Sequence, residues 1–197
     1  AAALQVRAAS LDNSDGGVLL SDSDIEVTVD GLLKNTNKGS IRAAQQLTLN
    51  STGLNNQGGT LVGISGLNMD LGATAQDLNN QDGVISSKGG LSIAHLRDMN
   101  NQNGVINSKG VLSIATLRDL NNQQGEISSV NSFSLTGNRF DNRGGNLISN
   151  DQLTVTAADL NNQGGLLSGW KGASLSGGTL DNSLEGAISS QLGNVNI

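Results

Sequence analysis

The sequence predicts an all-β fold, a parallel β-solenoid of about nine coils with about 20–21 residues in each coil. Three observations predict it. A short asparagine-rich motif recurs nine times along the 197 residues. Apolar residues two positions apart follow the motif, as expected of strands with one buried face. No apolar pattern has helical spacing, and a 20-residue unit leaves no room for helical crossovers.

The motif is Leu-Asn-Asn-Gln or a variant of it, and its apolar first residue is the anchor of each repeat. The tetrapeptide stands at 54–57, 78–81, 120–123 and 160–163, and Met replaces Leu at 99–102. Looser copies complete the series. The nine anchors, spaced by 20 to 24 residues, are Leu11, Leu33, Leu54, Leu78, Met99, Leu120, Phe140, Leu160 and Leu180. Such a period indicates a solenoid in which each repeat is one coil.

Two further apolar positions in each repeat predict short strands. One apolar residue falls seven positions after the anchor, at Leu61, Ile85, Ile106, Ile127, Leu147 and Leu167. An apolar pair falls at thirteen and fifteen, at Leu67/Met69, Leu91/Ile93, Leu112/Ile114, Phe133/Leu135, Leu153/Val155 and Ala173/Leu175. Equivalent strands should pair about 4.8 Å apart, so nine coils form a rod of about 43 Å. We expect a narrow core that excludes aromatic rings, which agrees with 2% aromatic residues.

Asparagine stands two residues after every anchor, where a turn is predicted because Gly and Asn tolerate positive φ. The nine positions are Asn13, Asn35, Asn56, Asn80, Asn101, Asn122, Asn142, Asn162 and Asn182. Their side-chain amides can bond their own backbone or the amide of the next coil. We therefore predict a structural turn ladder along the rod.

The composition argues against several classes of protein. Gly, Asn and Gln make 64 of the 197 residues, and Cys, Pro and Tyr are absent. No stretch approaches the ~18 apolar residues of a membrane-spanning helix. A net charge of −6 and few aromatic residues argue against nucleic acid as a partner. The first residues, Ala1-Ala2-Ala3-Leu4, lack the basic and apolar regions of a secretion signal.

Both ends of the sequence are copies of the paired-apolar strand, Leu4-Gln5-Val6 and Val195-Asn196-Ile197. An uncapped solenoid exposes its terminal strand edges, which favours aggregation. We therefore expect residues 1–197 to be a single β-helix segment, an internal slice of a longer array.

The unit L-N-N-Q-x-G-x-[IL]-x-[ST]-x(4)-L-x-[IL] resembles the haemagglutinin repeat of filamentous haemagglutinin-type exoproteins, from Leu4 to Ile197. Those are large secreted partners of two-partner secretion systems in Gram-negative bacteria, and they include adhesins and contact-dependent growth inhibition effectors. The resemblance implies a right-handed parallel β-helix, exported by an outer-membrane two-partner secretion transporter to the cell surface. The looser coils at Leu11, Leu33 and Leu180 depart from the pattern.

A row of aspartates is the strongest candidate for chemistry. Asp77, Asp98 and Asp119 each precede an anchor, and stacked coils would place them in steps of about 4.8 Å. Such a row can take a cation or act as the acid of a polysaccharide enzyme. An exposed turn column, relieved by Arg97 and Arg118, is the favoured interpretation because no long inserted loops enclose a substrate.

Metal and cofactor chemistry are not expected. His95 is the only histidine, which removes two-histidine metal sites and catalytic triads built on a second histidine, and we interpret it as solvated or packed in a turn. The acidic segment of Asp22, Asp24, Glu26 and Asp30 alternates with other residues and does not match a calcium loop. An outward strand face explains it. We predict no catalytic residue, no cofactor and no metal site.

Two irregular positions are candidates for binding. Trp170 falls ten residues after its anchor, in a column where Lys88 and Lys109 stand in other coils. A lone exposed Trp is a candidate contact for a glycan or protein partner, although a partly packed turn residue is the simpler interpretation. The 24-residue step from Leu54 to Leu78 is the largest interruption, and a bulge or binding loop is expected there.

The pattern and the resemblance together predict a non-enzymatic, structural and adhesive shaft segment of a secreted bacterial surface exoprotein. It would project distal binding or toxin domains from the cell. Two alternatives stay open, a receptor- or glycan-binding module and a β-helix polysaccharide lyase or hydrolase. The partners implied are the secretion transporter and a cell-surface receptor or glycan.

Overall fold

The computed structural model describes residues 3–72, 74, 76–115 and 117–197. Ala1, Ala2, Ala73, Ala75 and Thr116 lie outside the described residues. The described chain forms 25 strands and contains no helix. The predicted all-β solenoid of about nine coils is therefore confirmed.

The strands of successive coils stack into three parallel sheets, which we call faces A, B and C. Face A contains β1 (Leu4–Ala8), β4 (Ile25–Val29), β7 (Gln46–Asn50), β10 (Gly66–Asp70), β13 (Gly90–Ala94) and β16 (Leu112–Ile114). Face B contains β2 (Leu11–Asp12), β5 (Leu33–Lys34), β8 (Leu54–Asn55), β11 (Gln76–Asn79), β14 (Leu96–Asn100), β17 (Asp119–Asn121), β19 (Phe133–Asp141), β21 (Gln152–Asn161), β23 (Gly172–Asp181) and β25 (Val195–Asn196). Face C contains β3 (Val18–Ser21), β6 (Ser40–Ala43), β9 (Thr60–Gly63), β12 (Val84–Ser87), β15 (Val105–Ser108), β18 (Glu126–Ser129), β20 (Asn146–Ser149), β22 (Leu166–Gly169) and β24 (Ala187–Ser189).

The register joins equivalent positions of successive coils. On face C, for example, Ile85 pairs with Leu61 on one side and with Ile106 on the other. On face A, Leu67 pairs with Leu91. Inward side chains at these positions are almost fully buried and stack in aliphatic columns along the axis. This stacking gives each coil a hydrophobic interior that it could not build alone.

The lumen is wider than the sequence suggested. Phe133 and Phe140 are both buried, so the prediction of a core that excludes aromatic rings is wrong. The ring of Phe140 fits because Gly137 faces it without a side chain. A Cβ atom at Gly137 would lie 2.5 Å from Cε1 of Phe140, well inside van der Waals contact.

Coil length determines whether faces A and B are separated by a corner. In a 21-residue coil, His95 has a φ of 54° and ends β13 before β14 begins. The three coils that follow Leu120, Phe140 and Leu160 are one residue shorter. Their strands β19, β21 and β23 run through the corner as single strands of nine or ten residues.

The 24-residue step places its extra residues between β10 and β11. Leu71 in this segment is buried, and Gly72 has a φ of 92°. The register of β11 against β14 is irregular between Gln76 and Leu78. Because Ala73 and Ala75 lie outside the described residues, a binding loop at this step stays a prediction.

Candidate functional site

The second asparagine of each motif points inward and forms a hydrogen-bonded column. Every Nδ2 group except that of Asn182, the last of the series, donates to Oδ1 of the asparagine in the next coil over 2.7 to 2.8 Å. Each Nδ2 group also donates to a glycine carbonyl of its own turn over 2.9 to 3.3 Å. The column, which we call the asparagine ladder, contains Asn13, Asn35, Asn56, Asn80, Asn101, Asn122, Asn142, Asn162 and Asn182. All except Asn182 are buried, so these hydrogen bonds satisfy polar groups that water does not reach.

A glycine packs against every amide of the asparagine ladder. These glycines are Gly17, Gly39, Gly59, Gly83, Gly104, Gly125, Gly145, Gly165 and Gly186. A Cβ atom there would lie 2.6 to 2.8 Å from the asparagine Oδ1 of the same coil. None of these glycines has a positive φ. The residue before each of them has one instead, as at Asp82 and Asn103. The glycines are therefore required by close contact, and sequence reasoning explained them only as turn formers.

The first asparagine of the motif forms a second column on the outside of face B. Asn79 and Asn100 each donate from Nδ2 to Oδ1 of the asparagine one coil earlier, over 3.2 Å. The Oδ1 atom of Asn55 also accepts from the backbone N–H of Gln57 and so closes the turn. Sequence reasoning missed this column, although recurrence of Asn directly after the anchor was the signal that could have found it.

The three aspartates of the acid row do stack, and each pairs with an arginine of the next coil. The pairs are Asp77 with Arg97, Asp98 with Arg118, and Asp119 with Arg139. Arg97 donates from Nε to Oδ1 of Asp77 at 2.9 Å and from Nη2 to Oδ2 at 2.7 Å. The sequence pointed to Arg97 and Arg118 but missed Arg139, which stands where earlier coils carry an aspartate.

The ion pair with Arg97 favours the charged form of Asp77. The hydrogen bond from Arg97 is the main cause that lowers the pKa of Asp77, and its positive charge lowers that pKa further. A general acid needs a raised pKa, so this shift has the wrong direction for protonating a leaving group. The row lines a shallow groove of about 470 Å³ on face B. Its geometry fits a column of ion pairs better than a catalytic site.

His95 lies at the corner between faces A and B and contacts a carboxylate of the preceding coil. Its Nδ1 atom is 2.7 Å from Oδ1 of Asp70, and both side chains are about half exposed. The backbone N–H of Gly72 is the main cause that lowers the pKa of Asp70, and the hydrogen bond with His95 adds to it. The pair links two coils beside the 24-residue step.

Trp170 lies at the corner between faces C and A, and 49% of its surface is exposed. Its backbone N–H donates to Ser149 of the preceding coil, so the backbone is fixed while the indole is accessible. Val130 occupies the same corner two coils earlier and is 45% exposed. The structure thus places the candidate partner contact on the surface, with a second exposed apolar residue two coils away in the same column.

The remaining predictions concern metals and the membrane. Within the described ranges, no group of three His, Cys, Asp or Glu residues is placed to hold a metal ion. In the acidic segment, Asp24 accepts a hydrogen bond from the backbone N–H of Gln46, and Glu26 points outward from β4. No helix in the described part of the chain is long and apolar enough to cross a membrane.

Comparison with protein families identifies one match. The family model described as the haemagglutinin repeat matches residues 1–39, 26–68 and 66–191. These segments overlap or adjoin, and together they cover nearly all of the nine coils. No curated protein and no solved structure matches the chain.

Proposed function

The chain belongs to the haemagglutinin repeat family, and from this membership we propose that it is a shaft segment of a large secreted bacterial surface adhesin or contact-dependent growth inhibition effector. Its role is mechanical, because stacked coils hold a distal binding or toxin domain away from the cell. Export through an outer-membrane two-partner secretion transporter of a Gram-negative cell is part of this proposal.

The observation that carries the proposal is the uninterrupted stack. Face C pairs nine strands in sequence, from β3 to β24, without a break. The asparagine ladder runs beside it with eight consecutive amide hydrogen bonds. A structure of this kind gains length with each coil while its cross-section stays constant, which is what a spacer requires.

Rigidity over the length of the shaft can be measured directly, because the chain has no cysteine of its own. Cysteines introduced by Ser40→Cys and Ala187→Cys lie on the outside of face C, seven coils apart, and dyes on them should be about 34 Å apart. Single-molecule energy transfer should give one narrow distance distribution. A broad distribution would contradict a rigid spacer.

A second function, binding to a receptor or glycan by this segment itself, is favoured by the exposure of Trp170. We expect Trp170→Ala to reduce binding of the isolated chain to cells or to a glycan array, because an exposed indole supplies a large apolar contact. Val130→Ala in the same corner column is the matched control. Equal binding by the wild type and Trp170→Ala would remove this function.

We infer that the segment is not an enzyme, since the pKa of Asp77 is shifted away from the range of a general acid. Incubation with acidic polysaccharides should give no products. Turnover that disappears in Asp98→Asn would show that the acid row is catalytic and would overturn the inference.

A further inference from the structure

Face C differs from the other two faces in the chemistry of its outward side chains. Its outward positions include the large aliphatic residues Leu20, Val62, Val84, Val105, Ile148 and Leu166. At the corresponding outward positions, face A carries Thr48, Asn68, Ser92 and Ser113, and face B carries mostly Asn and Asp. The apolar outward residues of the strands are thus concentrated on one side of the rod.

The strands of face C carry few charged side chains, one of each sign. Arg42 and Glu126 are the only charged residues in its nine strands, all of which lie within the described ranges. Arg42 stands on β6, the second strand of the face, and Glu126 stands on β18, the sixth. The strand β12 is the fourth, so it lies midway between these two strands, two positions from each.

This arrangement is self-complementary about β12. A two-fold axis that lies in the plane between two copies, parallel to β12, brings the second strand of each copy opposite the sixth strand of the other. Arg42 of one copy then faces the strand that carries Glu126, and the second pair repeats the contact. Ser128 Oγ donates to Oε1 of Glu126 at 2.7 Å, which draws the carboxylate toward the column that Arg42 occupies.

We propose that face C is an interaction surface that binds face C of a second copy of this chain, side by side and antiparallel. Val84, 36% exposed, lies at the centre of the pairing and faces its own counterpart. A face with a repeat of about 4.8 Å is matched strand for strand, over seven of its nine strands, by another solenoid with the same repeat, with the sheets about 10 Å apart. An unrelated globular surface would match it over only a few strands.

The area is sufficient for weak pairing. An axis at β12, the fourth of the nine strands, overlaps seven strands of each copy, or roughly 34 by 13 Å, so the pair buries on the order of 900 Å² in total. This area lies just below the roughly 1,000 to 1,200 Å² at which stable specific interfaces begin, in the range of weak and transient ones. Each further coil of the same kind enlarges the contact, so the affinity of the pair should increase with shaft length.

Analytical ultracentrifugation of the 197-residue chain across micromolar to millimolar concentrations tests the pairing. The wild type should form a dimer, and Val84→Lys should weaken it at least tenfold because two ammonium groups meet at the axis. Ser92→Lys, outward on face A of the same coil, should leave the dimer unchanged. A wild type that stays monomeric throughout, or equal effects of the two lysines, would overturn the proposal.

Charge reversal tests the antiparallel arrangement. Arg42→Glu and Glu126→Arg should each weaken the dimer, because each places like charges opposite one another, and the double variant should restore it. Failure of the double variant to recover would overturn the antiparallel pairing. Small-angle scattering separates this pairing from end-to-end stacking, since two copies paired about β12 extend only about 10 Å, or two coils, beyond the length of the monomer. A doubled dimension would contradict the proposal.

Discussion

At the scale of the residue, the interior of this solenoid depends on contacts that tolerate little change. A ladder asparagine such as Asn101 donates to Oδ1 of Asn122 and to Gly104, and accepts from Asn80. A hydrogen bond adds only about 1 kcal/mol net, but a buried polar group left without its partner costs about 1–3 kcal/mol. Loss of one amide therefore affects the coils on both sides of it.

Asn101→Ala should lower the free energy of unfolding by about 3 kcal/mol, because Nδ2 of Asn80 and Oδ1 of Asn122 each lose a buried partner. Urea denaturation followed by circular dichroism measures the change. Asn68→Ala, exposed on face A, is the control and should change stability by less than about 0.5 kcal/mol. Similar effects of both substitutions would show that the ladder adds no stability.

Gly137→Ala should destabilise the chain by about 1–3 kcal/mol, because the new methyl group overlaps the ring of Phe140 and the backbone carbonyl of Leu117. The next coil shows a compatible combination, with Ala157 and Leu160 at the equivalent positions. Phe140→Leu in the same chain should therefore restore part of the loss. A double-mutant cycle from urea denaturation measures this coupling, and strictly additive effects would contradict the contact.

At the scale of the element, neighbouring strands of face B are connected by ion pairs as well as by backbone hydrogen bonds. Arg97 on β14 holds Asp77 on β11, and the next two pairs continue the pattern toward β19. These side chains are exposed enough for solvent to screen them, so each pair contributes little to stability. The pair of Arg97 with Asp77 also makes stability depend on pH.

Acid should weaken the pairing of these strands. The pKa of Asp77 is lowered from 3.8 in the folded state, so its contribution to stability is present above that value and is lost as pH falls through the folded pKa. Arg97→Gln should make stability less dependent on pH below about 4. Lys109→Gln, which removes one positive charge at a corner, is the control. Equal pH profiles for the two variants, measured by urea denaturation, would contradict the assignment.

Sequence reasoning predicted the elements better than their environment. The internal repeat predicted the buried columns correctly. Anchors such as Leu78 are buried, and so is Ile85, seven residues later. The glycine at 104 was explained as a turn former, since the close approach of neighbouring ladder amides cannot be read from one coil. Arg139 was missed because, unlike Arg97 and Arg118, it has no aspartate beside it in sequence, and its partner Asp119 is 20 residues away.

At the scale of the whole molecule, each coil contacts only the coils before and after it. Pairing on face C follows the order β3, β6, β9 and onward, with no strand bonded to a distant coil. Stability of such an array is approximately a sum of coil and nearest-neighbour terms. The fold can therefore be built with more or fewer coils.

Duplication of residues 99–119, one 21-residue coil, should lengthen the rod by about 4.8 Å without loss of stability. Small-angle scattering should show a longer maximum dimension and an unchanged cross-section. Insertion of a second copy of residues 99–109 alone is the control, and it should disrupt the fold because it sets the strands that follow out of phase. Unfolding caused by the full-coil duplication would contradict independent stacking.

The asparagine ladder gives the molecule a direction that its cross-section does not reveal. All eight amide bonds run the same way, from Nδ2 of one coil to Oδ1 of the next. The aligned amide dipoles polarise one another and form a single directed chain. A coil added on the C-terminal side always meets a donor, and a coil added on the N-terminal side always meets an acceptor. Growth of the stack is therefore polar, and an incoming coil fits in only one orientation.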